Sequence, residues 1–299
     1  MDDTSAIITK KLEEARSLIE LRLNEIAAGL RSVGLDEMVA YISRGGKRLR
    51  GFLNIMTCEA LGGSAEDAID AAAAAELVHS ASLALDDIVD QDVVRRGSPS
   101  AWVLFGIGKT AMISLFLVPL ALKLVEHYGQ TALGYSIQAW EEMVRGEIID
   151  AYLSTNGASG YYLEIVRLKT GSLFSLAAAL GAIAASRPGR AEDAYRYGEL
   201  IGVSYQVADD LVDYMLFVNG ERPKLDPSER LFESWAKESL GAGREADVTP
   251  HALKFLRNKV SEASQVATRL FAGGPYADVM EDLPRFIVNS MLSRKGLSV

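Results

Sequence analysis

The sequence predicts an all-α protein, one large helical bundle running as a single domain from residue 1 to residue 299. Three observations predict it. Only 8 prolines interrupt long stretches rich in Ala and Leu, and hydrophobic residues make up 49% of the chain. Apolar residues recur at helical spacing almost throughout. No segment shows strand alternation bounded by turn residues. No low-complexity linker divides the chain, and its length suffices for a substantial bundle core.

Taken in order, residues 8–30 alternate apolar pairs with charges at helical spacing. Helices over 47–61 and 65–90 follow, separated by Leu61-Gly62-Gly63-Ser64, where glycine ends one helix and Ser64 caps the next. Gly97-Ser98-Pro99 breaks the chain, and further helices are predicted over 110–128, 131–154, 161–186, 191–216, 250–271 and 276–294. The least regular stretch is 219–243, with Asn219-Gly220, prolines and mixed charges. Two uncharged runs are tested as membrane spans. Residues 110–122 fall short of the roughly 20 that a crossing helix needs, and 170–186 lie at the lower limit, with Ala, Gly and Ser that suit burial among other helices. Met1-Asp2-Asp3 lacks the basic-then-apolar pattern of a signal peptide. No transmembrane segment is expected. The single cysteine, Cys58, excludes an internal disulfide, fits a reducing cytosol and reads as a small core residue, so the expected location is cytoplasmic.

The chemistry concentrates in two acidic pentads, Asp86-Asp87-Ile88-Val89-Asp90 and Asp209-Asp210-Leu211-Val212-Asp213, each ending an apolar helical run. Burying carboxylates costs several kcal/mol each unless positive charge compensates. On a helix Asp86 and Asp90 lie one turn apart on one face, as do Asp209 and Asp213, while Asp87 and Asp210 widen the clusters. Hard cations such as Mg²⁺ bind one or two carboxylates together with substrate phosphates, so two facing clusters would hold several Mg²⁺ ions around a pyrophosphate. A solvated acidic helix end is the plain alternative for either pentad alone. The net charge of -9 argues against nucleic acid as a partner. The local basic runs Lys47-Arg48-Leu49-Arg50 and Arg95-Arg96 suit a small anion instead. Glu76-Leu77-Val78-His79 matches the E-x-x-H of di-iron bundles, but Leu124 and Val248 stand where His127 and His251 would need a glutamate. Each cation has an ordinary alternative too: Lys47 and Arg50 as a solvated helix start, Lys169 as a helix-end charge, His79 as a satisfied core histidine.

The motifs Gly45-Gly46-Lys47-Arg48-Leu49-Arg50, His79, the first pentad, Arg95-Arg96-Gly97, Gly146-Glu147 with Asp150, Lys169-Thr170-Gly171, Gln206 and the second pentad occur in this order and spacing. Through them the chain resembles the trans-isoprenyl diphosphate synthases, from about residue 45 to residue 226. The resemblance implies the class I isoprenoid synthase fold and a Mg²⁺-dependent head-to-tail condensation of isopentenyl diphosphate with an allylic diphosphate. It implies that Asp86, Asp87, Asp90, Asp209, Asp210 and Asp213 bind Mg²⁺ on the allylic diphosphate, helped by Arg95, Lys169, Thr170 and Lys224. Lys47, Arg50, His79 and Arg96 would hold isopentenyl diphosphate, and Gln206 would sit near the reacting carbons. A homodimer is the family expectation.

Four departures from the family pattern stand out. Leu85 replaces a common His, Glu147 replaces a common Gln, and the helix over 112–124 carries Pro119, expected to kink it. After the second pentad the usual Gly-Lys and Gly-Lys-x-Thr are missing, and Asn219-Gly220-Glu221-Arg222-Pro223-Lys224-Leu225-Asp226 keeps only Lys224 as a loose counterpart. In this family bulky residues four and five positions before the first pentad stop elongation. Here they are Ser82 and Ala81, both small, which implies a product of C20 or longer, with Phe116, Leu117 and Leu120 as a deeper floor. A terpene cyclase shares the first pentad but has no use for Lys47, Arg50 and Arg96. A modulatory subunit of a heteromeric synthase usually loses pentad carboxylates, which this chain keeps.

Overall fold

The computed structural model of the protein describes residues 3–153, 159–225, 227–239 and 247–299. In chain order the helices are α1 (Asp3–Gly29), α2 (Asp36–Ser43), α3 (Leu49–Ala60), α4 (Ala65–Val89), α5 (Ala101–Phe105), α6 (Ile107–Val125), α7 (Gln130–Leu153) and α8 (Tyr162–Val166). A single π-helical turn (Arg167–Gly171) leads into α9 (Ser172–Ala184), followed by α10 (Ala191–Val218), α11 (Pro227–Ser239), α12 (Thr249–Leu270) and α13 (Ala277–Leu292). Among the described residues the only strands are β1 (Val94–Arg95) and β2 (Ser98–Pro99), paired antiparallel. The chain is all-α, and it divides into two compact units: Thr9–Ile137 with Leu176–Glu192, and Met1–Ile8 with Gln138–Ser175 and Asp193–Val299.

The first of these units is built on α4, which packs against α3 and α6. Ala71, Ala72, Ala73, Ala74 and Ala75 are buried on every side of the helix, as expected of a helix that is apolar all round. Ser64 starts α4 as the sequence predicts. Its hydroxyl accepts from Asp67 N (3.2 Å), and the Asp67 carboxylate accepts from Ser64 N (2.9 Å), a reciprocal capping box. Cys58, fully buried on α3, points its thiol at Ser64 O (3.4 Å). Burial, with Asp67 and Glu59 nearby, pushes that thiol up to about 12.

The entry to α3 depends on a buried ion pair. Arg48 adopts a left-handed backbone conformation (φ 56°), uncommon for a residue with a side chain, and its side chain is completely buried. Its guanidinium donates to Glu20 Oε1 (2.7 Å), to Glu76 Oε2 (3.3 Å) and to the Ser43 carbonyl. Glu76 also accepts from Gly51 N (2.9 Å). The glutamate of the E-x-x-H match is thus taken up by an arginine and a backbone amide.

The second unit has its own core. Tyr162 on α8, Tyr214 on α10, Phe232 and Trp235 on α11 and Leu256 on α12 are buried together. Tyr162 lies 4.8 Å from Trp235 and 5.7 Å from Phe232, centroid to centroid. Helix α11 lies in the stretch that the sequence marks as least regular. Pro227 opens it at a position where its missing N–H costs nothing, and Leu231, Phe232, Trp235 and Ala236 form its buried face. Of the two prolines that signal a loop, Pro227 marks a helix start, while Pro223 stays in the loop.

Helices α2 and α5 are further elements that the sequence did not separate. Pro119 does not end α6, which runs for 19 residues. The uncharged run inside α6 therefore belongs to a longer helix than its own length implies. By length and composition Ala65–Val89, Ile107–Tyr128 and Tyr162–Ala184 are long and apolar enough to cross a membrane; 67%, 28% and 89% of their apolar windows are buried within the protein. The middle one leaves Ile107, Met112 and Leu115 exposed, next to exposed Val103 and Leu104 of α5.

Replacing Arg48 by alanine should leave Glu76 charged and buried without its partner, at a cost of about 3–5 kcal/mol. Denaturant unfolding of Arg48→Ala measures this, and a loss below about 1 kcal/mol would contradict the role given to the pair.

Candidate active site

The basic half of the site is assembled in the unit built on α4. Arg95 and Ser98 face each other across the β1–β2 ladder, so Arg96-Gly97 is a two-residue hairpin loop. Both loop residues have positive φ (52° and 71°), the signature of a type I′ turn. The turn sends the two arginines to different partners. Arg95 Nε donates to Asp87 Oδ1 (2.7 Å), and its Nη2 donates to the same oxygen. Arg96 Nη1 donates to the carbonyls of Arg44 (2.5 Å) and Gly45 (2.9 Å). Gly46 has φ 101°, a conformation that residues with side chains rarely adopt, and the Arg96 guanidinium lies 2.9 Å from where a Cβ would stand. Lys47, Asp87, Arg95 and Arg96 line one cavity of about 390 Å³, floored by Ser80, Leu83 and Ala84 of α4.

Other predicted residues stand behind this lining. Arg50 is buried (9% exposed), and Ser82 is buried with its hydroxyl donating to His79 O (2.9 Å). Ala81 is fully buried. Burial, followed by the charges of Arg50, Arg96, Arg48 and Arg95, holds His79 well below the ordinary histidine range, so its ring is neutral. Burial raises the Asp87 carboxyl, with the Arg95 hydrogen bond opposing the rise. Asp86 is half-buried and Asp90, the C-cap of α4, is exposed.

The second pentad lies on α10 in the other unit, beside the π-helical turn that carries Lys169. Gly146 makes their neighbourhood: a Cβ there would meet Lys169 N at 2.6 Å, so only glycine lets α7 approach this turn. The approach brings Glu147 Oε2 to 2.8 Å and Asp150 Oδ2 to 3.1 Å from Lys169 Nζ. Thr170 Oγ1 donates to Gln206 Oε1 (2.9 Å), and Gln206 Nε2 donates to Asp210 Oδ1 (2.9 Å). The other Asp210 oxygen accepts from the Tyr162 hydroxyl (2.5 Å). Tyr162 is held well above the ordinary tyrosine range by burial, then by Asp210 and Asp209, so it remains a donor. Asp150, Lys169, Thr170, Gln206, Asp210 and Tyr162 line a cavity of about 80 Å³.

Behind the second pentad Arg222, not Lys224, faces a carboxylate. Its guanidinium lies 3.6 Å from Asp213, whereas Lys224 is exposed. The loop is pinned by two backbone N–H groups donating to Leu216 O, from Glu221 (2.9 Å) and Arg222 (3.1 Å), and by Lys295 donating to the Glu221 carboxylate (2.7 Å). An arginine two positions before Lys224 thus stands beside the second pentad. Tyr162 and Arg222 went unrecognised in the sequence. Nothing marks Tyr162 within Tyr161-Tyr162-Leu163, which stands about two helical turns before Lys169.

Mg²⁺ is the ion that the family resemblance implies. Among the described residues no three His, Cys, Asp or Glu side chains converge to hold a metal by themselves. The donors nonetheless fit a hard cation that takes phosphate oxygens as well. They are carboxylates throughout, and Asp150 Oδ1 is buried without a hydrogen-bond partner in the cavity that Asp210 also lines.

A neutral His79 in the fold and a protonated one in the unfolded chain mean that the unfolded state binds more protons below about pH 6.5. Stability should therefore fall as pH drops from about 6.5 to about 5, by at most about 1.4 kcal/mol per unit from this residue. Comparing wild type with His79→Gln by urea unfolding across that window should show a shallower fall in the variant. Parallel profiles would assign the histidine an ordinary environment.

The polyprenyl synthetase family pattern matches residues 33–219. Hexaprenyl pyrophosphate synthase of Saccharolobus solfataricus is 34% identical over 289 residues, covering 95% of this chain and 96% of that one. Among solved structures, geranylgeranyl pyrophosphate synthetase from Pyrococcus horikoshii superposes with a TM-score of 0.78 at 23% identity, covering 95% of this chain and 98% of that one. A polyprenyl synthase from Caulobacter crescentus, complexed with calcium and isoprenyl diphosphate, gives 0.73 at 22% identity over 96% and 97%. These structures share the class I isoprenoid synthase fold. With the family pattern matched over more than half of its length and a relative 34% identical along nearly all of it, the chain belongs to the polyprenyl synthetase family.

Proposed function

We propose that the protein is a trans-prenyltransferase that joins isopentenyl diphosphate head-to-tail to an allylic diphosphate and releases an all-trans prenyl diphosphate of C20 or longer. The observation that carries this assignment is the cavity in which Lys47, Arg95 and Arg96 converge with Asp87. A cyclase acting on one diphosphate has no need of that second cationic site. A relative named for a six-prenyl product supports the length.

Ionisation of the allylic C–O bond leaves negative charge on the departing diphosphate and positive charge on carbon. Asp86, Asp87 and Asp90, and likewise Asp209, Asp210 and Asp213, would hold Mg²⁺, which would supply electrostatic stabilisation of that leaving group. Arg95 and Lys169 add fixed positive charge, which needs no reorganisation as the bond breaks. Lys169 is placed for this by Glu147 and Asp150, and Thr170 fixes Gln206 beside Asp210. Lys47 and Arg96 hold isopentenyl diphosphate from the cavity wall, backed by the charge of Arg50 and the neutral ring of His79. No side chain is assigned as a dedicated base, and the proton leaves to the released diphosphate. An apolar, dry surround protects the cation from water.

We further infer a cytoplasmic homodimer, in which a second copy covers the exposed apolar residues Val103, Leu104, Ile107, Met112 and Leu115. Sedimentation should give a dimer for wild type and a monomer for Leu115→Lys, and a monomeric wild type would exclude that arrangement.

Product chromatography with dimethylallyl, geranyl and farnesyl diphosphates tests the assignment. Wild type should yield prenyl diphosphates of C20 or longer only when isopentenyl diphosphate is present. Hydrocarbon from an allylic substrate alone would mean cyclisation, and inactivity rescued by a partner protein would mean a modulatory subunit. Asp86→Ala and Asp87→Ala should each lower turnover by about 100-fold or more. Ala81→Tyr and Ser82→Phe, if folded, should shorten the product, because each bulky ring blocks about one helical turn, 5.4 Å of tail.

A further inference from the structure

The cavity in the α4 unit holds more positive charge than the assigned residues supply. Arg44, the C-cap of α2, also lines it, together with Lys47, Arg95 and Arg96, against the single carboxylate of Asp87. Among the described residues no ion pair claims Arg44. An aromatic face holds it: the guanidinium carbon lies 3.9 Å from the centroid of the Tyr41 ring. That ring is itself fixed. The Tyr41 hydroxyl donates to Pro99 O (2.6 Å) on β2, and Phe105 of α5 packs edge-on against it at 5.4 Å and 87°.

Stacking differs from a salt bridge in what it leaves available. The ring occupies one face of the guanidinium, so the in-plane N–H donors and the full charge stay available to an anion. Arg95, by contrast, has both described hydrogen bonds on Asp87. The Arg44 carbonyl accepts from Arg96 Nη1, which ties the backbone of one cation to the side chain of the other. A second, separate feature points to a polar ligand. Ser80 lines the same cavity from α4, is 2% exposed, and its hydroxyl has no hydrogen-bond partner among the described residues. A buried orphan hydroxyl is costly unless a ligand oxygen meets it.

We propose that Arg44, presented by the Tyr41 ring, and Ser80 are diphosphate-binding residues of this cavity, additional to Lys47 and Arg96. The proposal rests on the diphosphate chemistry of the proposed function, and its ligand is the diphosphate of isopentenyl diphosphate. Tyr41 is a positioning residue, acting through Arg44.

Calorimetric titration of the intact protein with inorganic pyrophosphate, without Mg²⁺, tests binding apart from turnover. Arg44→Gln should weaken pyrophosphate about tenfold and raise the KM for isopentenyl diphosphate to a similar degree. The KM for the allylic primer and kcat should stay within about twofold. Ser80→Ala should weaken pyrophosphate several-fold without lowering the melting temperature of the free protein. Tyr41→Leu, which keeps the arginine and removes its platform, should fall between wild type and Arg44→Gln, while Tyr41→Phe keeps the ring and should bind nearly as wild type. Arg44 is exposed, so its replacement should leave the melting temperature unchanged. Unchanged pyrophosphate affinity in both Arg44→Gln and Ser80→Ala would overturn the proposal. So would a larger effect on the allylic KM than on that for isopentenyl diphosphate. Arg44-dependent pyrophosphate binding in a protein that condenses no primer would support the proposal and refute the condensation assignment instead.

Discussion

A carboxylate in a protein interior has to be answered by a cation or a donor, and the Arg48–Glu76 pair shows how much of one unit follows from that. Arg48 turns inward because Glu76 and Glu20 are there to receive it, and the turn requires a left-handed backbone at a residue with a full side chain. Once Arg48 points in, its neighbour Lys47 lines the cavity. The basic run at the start of α3 is thus divided between a buried structural arginine and a cavity-lining lysine, although its residues look alike in the sequence. The same requirement organises the other unit through different chemistry. Lys169 sits between Glu147 and Asp150, Asp210 between Tyr162 and Gln206, and Asp213 beside Arg222.

Much of this was legible beforehand. The alanine-rich α4, its Ser64 cap and the two pentads follow from helical spacing and local capping chemistry, which depend on nearby residues alone. What escaped depends on distant ones. Helix α11 was hidden because Pro227 reads as a breaker until its place in the first turn is known. The hairpin at Arg96-Gly97 is two residues per strand, too short for any alternation to register. Lys224 was the natural counterpart of the family lysine by position, yet the pinning of Glu221 by Lys295 brings Arg222 to Asp213. Tyr162 was invisible because a tyrosine becomes a carboxylate's donor only through packing. The E-x-x-H match fails for a complementary reason, since its glutamate is already occupied by Arg48 and Gly51.

Close approach is the other organising device, and it explains why glycines accompany the charged motifs. Gly146 lets α7 reach the turn that carries Lys169, and Gly202 on α10 faces Gly171, where a Cβ would come within 2.9 Å of the Gly171 Cα. The glycine of Lys169-Thr170-Gly171 is therefore a packing contact as much as part of a ligand motif. A side chain at Gly202 would push α10, which carries Gln206, away from the turn that carries Lys169, whereas a Cβ at Gly171 would meet its nearest neighbour only at 3.6 Å.

Cys58 carries a practical consequence. It is the only cysteine of the sequence, it is fully buried, and its thiol is pushed up to about 12. At pH 8 only about one such thiol in ten thousand is a thiolate, and it is shielded from reagents as well. The natural protein therefore offers a nearly silent background to maleimide or iodoacetamide. A single cysteine engineered at an exposed position would take up a fluorophore or spin label almost alone. Paired labels, one in each compact unit, would then report the distance between the units in solution as diphosphates bind.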